Sequence, residues 1–301
     1  MRNGFPVFKG QMPILPTTIN DRGEIDVESQ KRLVDYCLAN DVAAIGHLGG
    51  ASEYYKVSAS DRELLIRTVV ERVNGRVPVF IGTTAVSLRD SIENAKIAHR
   101  LGADQLMVCS PIVGVMRPDD LLAYYKEVGL TTPLPIIVQD TGASAGVYTA
   151  SFIERICDEV PTAGYAKAEG STFLTKTREL IDRVGDRMQI IGGAGGFHMI
   201  QLLRQGVTAF MTGTEAAEIH SKVIHLYLAG EVDEAIHEYY TRLLPYLQIY
   251  GMNSLYLLKY MLHKRGIIDN TKILFPDESP VSDALILQEL DYIWEYTVNK
   301  Q

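Results

Sequence analysis

Eight short apolar runs recur along the chain, separated by longer stretches that carry apolar residues at helical spacing. The runs are Met12–Thr17, Ala43–Gly46, Val79–Thr83, Gln105–Cys109, Ile136–Gln139, Gly164–Lys167, Gln189–Gly192 and Ala209–Thr212. Each run is apolar on both sides, as expected for a strand buried between two layers. Between them, Glu28–Asn40 and Phe152–Val160 show the apolar stripe of an amphipathic helix. The alternation predicts an α/β protein built as a closed (β/α)8 TIM barrel. Asp61 and Ser87 are predicted N-caps, and other helices are predicted to begin at Asp119–Asp120 and Thr149.

The barrel is expected to occupy residues 1–229, with its last helix beginning near Glu215. Residues 230–301 predict additional helices, and no Gly-, Ser- or Pro-rich linker precedes them. We therefore expect them to pack on the barrel as part of the same domain. The predicted C-terminal helices are Ala235–Tyr250, Ser254–His263 and Ser282–Val298. A doubly wound open sheet is the alternative fold, but the Gly-rich fingerprint expected after its first strand is missing from Pro13–Thr18.

Charge and composition indicate a globular protein that does not bind nucleic acid or membranes. The chain has 29 Lys and Arg against 37 Asp and Glu, a net charge of −8, and it contains no long basic run. An acidic chain of this kind is a poor partner for polyanions, although one local cation can still bind a small anionic substrate. No apolar run approaches the roughly 20 residues that span a bilayer. Met1–Gly10 lacks the apolar core of a secretory signal, so a cytoplasmic location is expected.

The three cysteines, Cys37, Cys109 and Cys157, are widely spaced and form no CxxC motif. This pattern disfavours a disulfide framework and a structural zinc site. His47 has no His, Asp or Glu partner at ligand spacing. We therefore expect no metal site.

Lys167 is the residue that points most directly to chemistry. It lies at the end of a predicted strand, and active sites of (β/α)8 barrels lie at the C-terminal ends of the strands. Burial lowers the pKa of a lysine ammonium group, and the neutral amine is a nucleophile toward carbonyl carbon. Glu169 points to the same side because side chains alternate along a strand. The two groups can divide nucleophilic and acid–base roles, or they can form an ion pair without chemistry.

Other strand ends carry weaker signals. The Gly-rich loops Gly192–Gly196 and Thr212–Thr214 stand where many barrels bind a phosphate, but small residues also simply leave room for a substrate. Backbone N–H groups of His47–Glu53 are suited to hold a carboxylate. Cys109 is more typical of a small core residue than of a catalyst.

The chain resembles the dihydrodipicolinate synthase/N-acetylneuraminate lyase family of class I aldolases over its whole length. The matching residues are Gly10-Gln-Met-Pro-Ile-Leu-Pro-Thr-Thr18, Gly49-Gly-Ala-Ser-Glu53, Asp61-Arg-Glu63, Gly82-Thr-Thr84, Gly102-Ala-Asp104, Pro135-Ile-Ile-Val138 and Lys167. The resemblance implies a (β/α)8 barrel that assembles as a homotetramer, a dimer of dimers. It also implies that Lys167 forms a Schiff base with pyruvate or another 2-keto acid, so that no metal or organic cofactor is needed.

Several positions depart from the family pattern. The hydroxyl pair of the strand-two loop falls on Gly50 and Ala51, and the proton-relaying tyrosine that ends strand five is Gln139. The tyrosine contributed by a neighbouring subunit falls near Val113, and the arginine that binds the second substrate's carboxylate falls on Ser144. We therefore predict that the protein is not a functioning dihydrodipicolinate synthase.

One branch of the family, the L-2-keto-3-deoxyarabonate dehydratases, is more similar. The similar segments are Val138-Gln-Asp140, Ala143-Ser144, Lys167-x-Glu169 and Met211-Thr-Gly213. The similarity implies that Lys167 forms the iminium and that Glu169 moves protons during loss of water. The implied substrate contacts are Gly50, Ala51, Ser52, Thr83, Gln139, Ser144, Gly193 and Met211. The branch has acidic residues where this chain has Ala194-Gly195, so the length and stereochemistry of the sugar acid stay open.

These observations favour a Schiff-base lyase that dehydrates a 2-keto-3-deoxy sugar acid. A retro-aldolase that releases pyruvate from the same substrate class is the alternative enzyme. A barrel that binds a keto acid without turnover, and a phosphate-binding barrel enzyme without imine chemistry, remain as further alternatives.

Overall fold

Eight parallel strands in a computed structural model of the protein form one sheet that closes on itself. The structure describes residues 4–169, 172–250, 254–276 and 284–296. The strands are β1 Gly10–Gln11, β2 Ile45–His47, β3 Val79–Gly82, β4 Gln105–Val108, β5 Ile136–Gln139, β6 Ala163–Ala168, β7 Gln189–Gly192 and β8 Ala209–Phe210. Their order is β1-β8-β7-β6-β5-β4-β3-β2. A parallel bridge between Ile14 and Gly46, together with a 2.7 Å hydrogen bond from Ala43 N–H to the Gln11 carbonyl, joins the two ends. The predicted (β/α)8 barrel is confirmed.

A helix follows each strand, and further helices lie C-terminal to the barrel. The barrel helices are α1 Val27–Ala39, α2 Ala59–Val73, α3 Leu88–Arg100, α4 Pro118–Gly129, α5 Ala150–Glu159, α6 Phe173–Val184, α7 Met199–Arg204 and α8 Ala217–Ala229. The C-terminal helices are α9 Val232–Glu238, α10 Leu244–Tyr250, α11 Ser254–Lys264 and α12 Ala284–Trp294. The boundary placed after residue 229 falls at the end of α8, where Gly230 adopts a left-handed φ of 92°. None of the described helices is long and apolar enough to cross a membrane.

The C-terminal helices differ from the predicted ranges in detail. The first begins at Val232, and a π-helical turn, Tyr239–Leu243, separates α9 from α10 where one continuous helix was expected. The predicted ends of the last helix, Ser282 and Val298, lie outside the described residues.

Of the two predicted N-caps, Ser87 is confirmed and Asp61 is wrong, and the helix start predicted at Thr149 is confirmed. The hydroxyls of Ser87 and Thr149 accept hydrogen bonds from backbone N–H groups in the first turns of α3 and α5. The cap of α2 is Ser58 rather than Asp61. Ser58 has the extended backbone that a cap requires, and its hydroxyl accepts a 3.1 Å bond from the Asp61 N–H. Helix α4 begins at Pro118, since proline is well suited to the first helical position.

The first strand is shorter and lies earlier than the run Met12–Thr17 predicted. Regular pairing is confined to Gly10–Gln11, although Met12 and Ile14 still donate hydrogen bonds to carbonyls at β8 and beyond it. Pro13 lies between them and has no N–H to donate, although its carbonyl accepts a 2.9 Å hydrogen bond from the Gly46 N–H. The other predicted strands agree with the observed ones to within two residues at each end.

Apolar side chains fill the interior of the barrel, and the C-terminal end of β6 lies beyond them, at a cavity. Phe80, Met107 and Tyr165 belong to an interior apolar cluster that is separate from the larger cluster between the strands and the helices. A Cβ at Gly46 would lie 2.2 Å from the Phe80 ring, so only glycine fits beside that ring. Because side chains alternate along β6, Lys167 points inward like Tyr165, one layer nearer the C-terminal end.

Candidate active site

A cavity of about 360 Å³ lies at the C-terminal ends of the strands. Six of the ten predicted site residues line it, and the structure thus brings together residues from four separate parts of the chain. These six are Gly50, Ala51, Gln139, Lys167, Glu169 and Met211. This is the end of the barrel at which the active sites of (β/α)8 enzymes lie.

Lys167 is held at the floor of this cavity by the strand that carries it. It pairs in register with Gln139 of β5 and with Ile191 of β7, and it is 8% exposed. Its Nζ lies 2.9 Å from Oε1 of Glu169. The amine is therefore enclosed, paired with a carboxylate and open to the cavity.

Three donors from three different segments surround the Glu169 carboxylate. Besides Lys167, the Gln139 amide donates to Oε2 and the Ala194 backbone N–H donates to Oε1, both at 3.3 Å. The neighbouring Gly193 has no room for a side chain, because a Cβ there would lie 2.6 Å from Cγ of Glu169. The Gly-rich loop after β7 therefore holds a carboxylate of its own chain at Ala194, at a position where a phosphate was one expectation.

Four of the predicted substrate contacts are not on the cavity wall. The Ser52 hydroxyl donates to the Leu15 carbonyl at 2.6 Å, and the Ser144 hydroxyl accepts from the Met116 N–H at 2.8 Å. Thr83 is fully buried. Gly193 faces Glu169 instead of the cavity. Both serine hydroxyls form hydrogen bonds that fix neighbouring loops, which explains why neither faces the cavity.

Aromatic residues on the wall were missed by the sequence analysis. Tyr54 and Tyr55 follow the Gly-rich turn after β2 and line the cavity. The Tyr54 hydroxyl lies 3.8 Å from Sγ of Cys109, and burial raises the pKa of this phenol, so it stays protonated. The signal that could have found these residues is their position directly after a strand-end loop.

The remaining wall is mostly apolar and has few charges. Ile14, Met107 and Ile112 contribute apolar surface, while Thr141 and Thr212 contribute hydroxyls. Among the described residues that line the cavity, the charged side chains are those of Lys167 and Glu169. Such a wall suits a small substrate with one anionic group and a short tail.

A second buried ion pair lies directly behind Gln139. Asp140 follows the end of β5, and its carboxylate binds the Lys176 amine from α6. Burial raises the pKa of Asp140 to about 6, although Lys176 and the backbone N–H of Glu169 oppose the rise. This pair anchors the end of β5 beside Glu169.

His47 lies at the end of β2 as a neutral buried side chain. Burial lowers its pKa to about 3, and its Nδ1 accepts a 2.7 Å hydrogen bond from the Leu48 N–H. Within the described residues, no group of three His, Cys, Asp or Glu side chains is arranged to hold a metal ion. Cys37, Cys109 and Cys157 are buried free thiols.

Named relatives share the sequence over most of its length. The chain is 32% identical over 240 residues to an L-2-keto-3-deoxyarabonate dehydratase from Azospirillum brasilense, covering 78% of this chain and 77% of that protein. It is 27% identical over 268 residues to a 4-hydroxy-tetrahydrodipicolinate synthase from Phocaeicola vulgatus, covering 87% and 89% of the two chains.

Solved structures show the same fold. The 4-hydroxy-tetrahydrodipicolinate synthase from Methylacidiphilum fumariolicum SolV superposes with a TM-score of 0.90 at 20% identity, over 98% of this chain and 97% of that one. A prophage protein of Escherichia coli K12, solved in complex with pyruvate, gives a TM-score of 0.87 at 23% identity, over 96% and 99% of the chains. The family model described as the dihydrodipicolinate synthetase family matches residues 7–284. The protein is therefore an enzyme of the dihydrodipicolinate synthetase family, whose members are class I aldolases and lyases.

Proposed function

We propose that the protein is a Schiff-base-forming lyase that dehydrates a 2-keto-3-deoxy sugar acid. The observation that carries the proposal is the enclosed pair of Lys167 and Glu169, with 2.9 Å between amine and carboxylate. The similarity to a dehydratase of this substrate class supports it. The position of the family's relaying tyrosine is Gln139, whose amide cannot carry a proton.

The reaction begins at the Lys167 amine, which attacks the C2 carbonyl and expels its oxygen as water to give a protonated imine. When a base removes a proton from C3, the electron pair of that C3–H bond forms a C2–C3 double bond and the iminium nitrogen takes up the C2–N π electrons, which gives an enamine. The enamine then expels the C4 hydroxyl, which leaves as water after it takes up a proton. Water adds to the unsaturated iminium and releases Lys167, and isomerisation of the unsaturated acid gives a semialdehyde.

Glu169 is assigned the proton transfers in this sequence. Its carboxylate lies beside the amine, and therefore beside the C2 and C3 atoms of an imine formed there. It is 17% exposed at the side chain, which leaves it accessible from the cavity. A base that removes the C3 proton is then in place to return a proton to the departing hydroxyl.

Gly50 and Ala51 are the proposed site for the substrate carboxylate. They lie on the wall in the short 3₁₀ turn after β2, where small side chains leave the backbone N–H groups open to a ligand. Thr141 and Thr212 offer hydroxyls for the sugar tail. No organic cofactor or metal takes part in this proposal, and a cytoplasmic homotetramer remains the proposed state. One solved relative is described as a monomeric variant, so sedimentation of this chain is the measurement that decides its assembly.

Borohydride trapping tests the Schiff base. The protein is incubated with a panel of 2-keto acids, including pyruvate, and reduced, and the modified peptide is mapped by mass. We expect the adduct on Lys167, and none in the Lys167→Arg variant, which keeps the positive charge beside Glu169. An adduct on another lysine, or no adduct with any 2-keto acid, would overturn the proposal.

Product analysis tests the reaction type. With a 2-keto-3-deoxy pentonate we expect a semialdehyde, whereas release of pyruvate would assign aldol cleavage instead. We also expect no condensation of pyruvate with aspartate semialdehyde, because an arginine suited to the second carboxylate is missing from the described cavity wall. Efficient condensation would contradict the assignment.

A further inference from the structure

Gln139 occupies the place from which a tyrosine would relay protons, yet its amide neither gains nor loses a proton at ordinary pH. The side chain is 8% exposed and lies on the cavity wall. Gln139 pairs in register with Lys167 on the adjacent strand β6, so both side chains point to the same side of the barrel sheet. What Gln139 contributes must therefore come from hydrogen bonding.

The hydrogen bond that Gln139 makes is to Oε2 of Glu169, at 3.3 Å. The other carboxylate oxygen, Oε1, is bound by Lys167 and by the Ala194 N–H. Within the described part of the chain, no second donor reaches Oε2. Without Gln139 one end of the carboxylate is therefore free to rotate about the bond to Cγ, and its orientation toward a ligand on Lys167 is lost.

We propose that Gln139 is a positioning residue, whose amide holds the Glu169 carboxylate in the orientation that transfers a proton at C3 of the Lys167-bound substrate. This inference rests on the proposed function and adds a residue to it. The end of β5 is suited to the task, because the Asp140–Lys176 pair anchors it from behind. A misplacement of about 1 Å is enough to slow such a step by roughly 100-fold.

Pyruvate is the probe, because it can form the imine and carries exchangeable C3 protons even when the natural sugar acid is unidentified. Two rates are measured on each variant. Borohydride trapping reports imine formation at Lys167, and proton NMR in D₂O reports exchange of the methyl protons of pyruvate. A residue that only contacts the substrate changes both through binding, whereas a residue that orients Glu169 changes the exchange alone.

The variants are Gln139→Leu, Glu169→Gln and the combination of both. Gln201→Leu is the matched control, since it removes an amide of the same kind from α7, away from the cavity. We expect Gln139→Leu to trap pyruvate within about twofold of the wild type and to exchange at least tenfold more slowly. In the Glu169→Gln background the same change is expected to add no further loss, because the group that Gln139 holds is gone.

Each negative result rules out one specific assignment. If the wild type traps no 2-keto acid, the proposed function fails and this inference fails with it. If trapping succeeds but Glu169→Gln exchanges as fast as the wild type, the role of Glu169 is wrong and Gln139 has nothing to position. If Glu169→Gln is slow while Gln139→Leu exchanges at the wild-type rate, or loses trapping and exchange equally, only the inference about Gln139 is overturned.

Discussion

The amine of Lys167 lies 2.9 Å from Oε1 of Glu169, at the inner end of a cavity that opens at the C-terminal face of the barrel. The two residues are separated by Ala168, so the alternation of a strand aligns them on one side. The pair is mostly enclosed by protein, where an ion pair and its hydrogen bonds are stronger than in water. An amine and a carboxylate thus face the same small space.

Replacement of Glu169 by Gln separates proton transfer from imine formation. The amide keeps the size of the side chain but cannot carry a proton, and general acid–base catalysis contributes about 10²–10⁴-fold. We expect turnover of a 2-keto-3-deoxy pentonate to fall by about that factor, while borohydride still traps the substrate on Lys167. Unchanged turnover would remove Glu169 from the mechanism.

A methyl group at position 193 is expected to displace the Glu169 side chain. In Gly193→Ala the new Cβ would lie 2.6 Å from Cγ of Glu169 and 2.9 Å from the carbonyl oxygen of Ala168. We expect turnover to fall by about tenfold or more. Gly146→Ala is the control, because its Cβ meets nothing within 4 Å. Equal turnover in both variants would show that Gly193 does not constrain Glu169.

A buried ion pair connects the loop after β2 to the C-terminal segment. Lys259 of α11 and Glu53 are 1% and 0% exposed, and their charged atoms lie 2.9 Å apart. The other Glu53 oxygen accepts a 2.8 Å bond from the Leu274 N–H. This pair therefore links the loop that carries Gly50 and Ala51 to residues more than two hundred positions away.

Removal of Lys259 leaves the buried Glu53 carboxylate with Lys56, whose Nζ lies 3.6 Å from Oε1 of Glu53. We expect Lys259→Met to lower the free energy of unfolding by less than the about 3–5 kcal/mol that follows when a buried charge loses its partner entirely, measured by urea denaturation. The double variant Glu53→Leu with Lys259→Met should recover part of the loss, and Lys31→Ala in an exposed pair should have little effect. A wild-type denaturation midpoint for Lys259→Met would show that the pair contributes nothing.

The buried carboxyl group of Glu215 is expected to make the free energy of unfolding depend on pH. Burial is the main cause that raises the pKa of this carboxyl from 4.5 to about 7, with Tyr246 and Arg265 lowering it and Glu218 raising it. Between these two pKa values the unfolded chain releases the proton while the native state retains it. The native state binds more protons, so stability falls as pH rises from about 4.5 to about 7, by about 3 kcal/mol.

The Glu215→Gln variant isolates this contribution. We expect the variant to gain stability relative to the wild type by up to about 3 kcal/mol between pH 4.5 and pH 7.5, and to show no further relative change above that range. Urea denaturation of both proteins across this pH range gives the difference between their free energies of unfolding. The titration of all other groups is common to both proteins and cancels in this difference. A constant difference between the two proteins would show that Glu215 ionises at an ordinary pKa.

The strand–helix alternation was enough to predict the barrel, and strand alternation was enough to place Lys167 and Glu169 on one side. Both predictions depend on the backbone geometry of residues that are close in sequence. The periodicity of apolar residues reflects that geometry directly. Asp61 was the predicted N-cap of α2, whereas Ser58 holds that position, and both residue types are frequent at N-caps. Which residue caps the helix depends on which one has an extended backbone, and here that is Ser58.

The barrel, the end at which its cavity lies and the position of Lys167 at the end of β6 could be predicted from the order of residues along the chain. The folded structure was needed to show which groups surround Glu169, that Ser52 and Ser144 are used by neighbouring loops, and that Glu53 pairs with Lys259. The two sets of features differ in how far apart the residues involved lie along the chain. Periodicity follows from local geometry, whereas contacts between residues 25 to 206 positions apart depend on how each loop turns back over the barrel, including left-handed turns at Glu53 and Ala194.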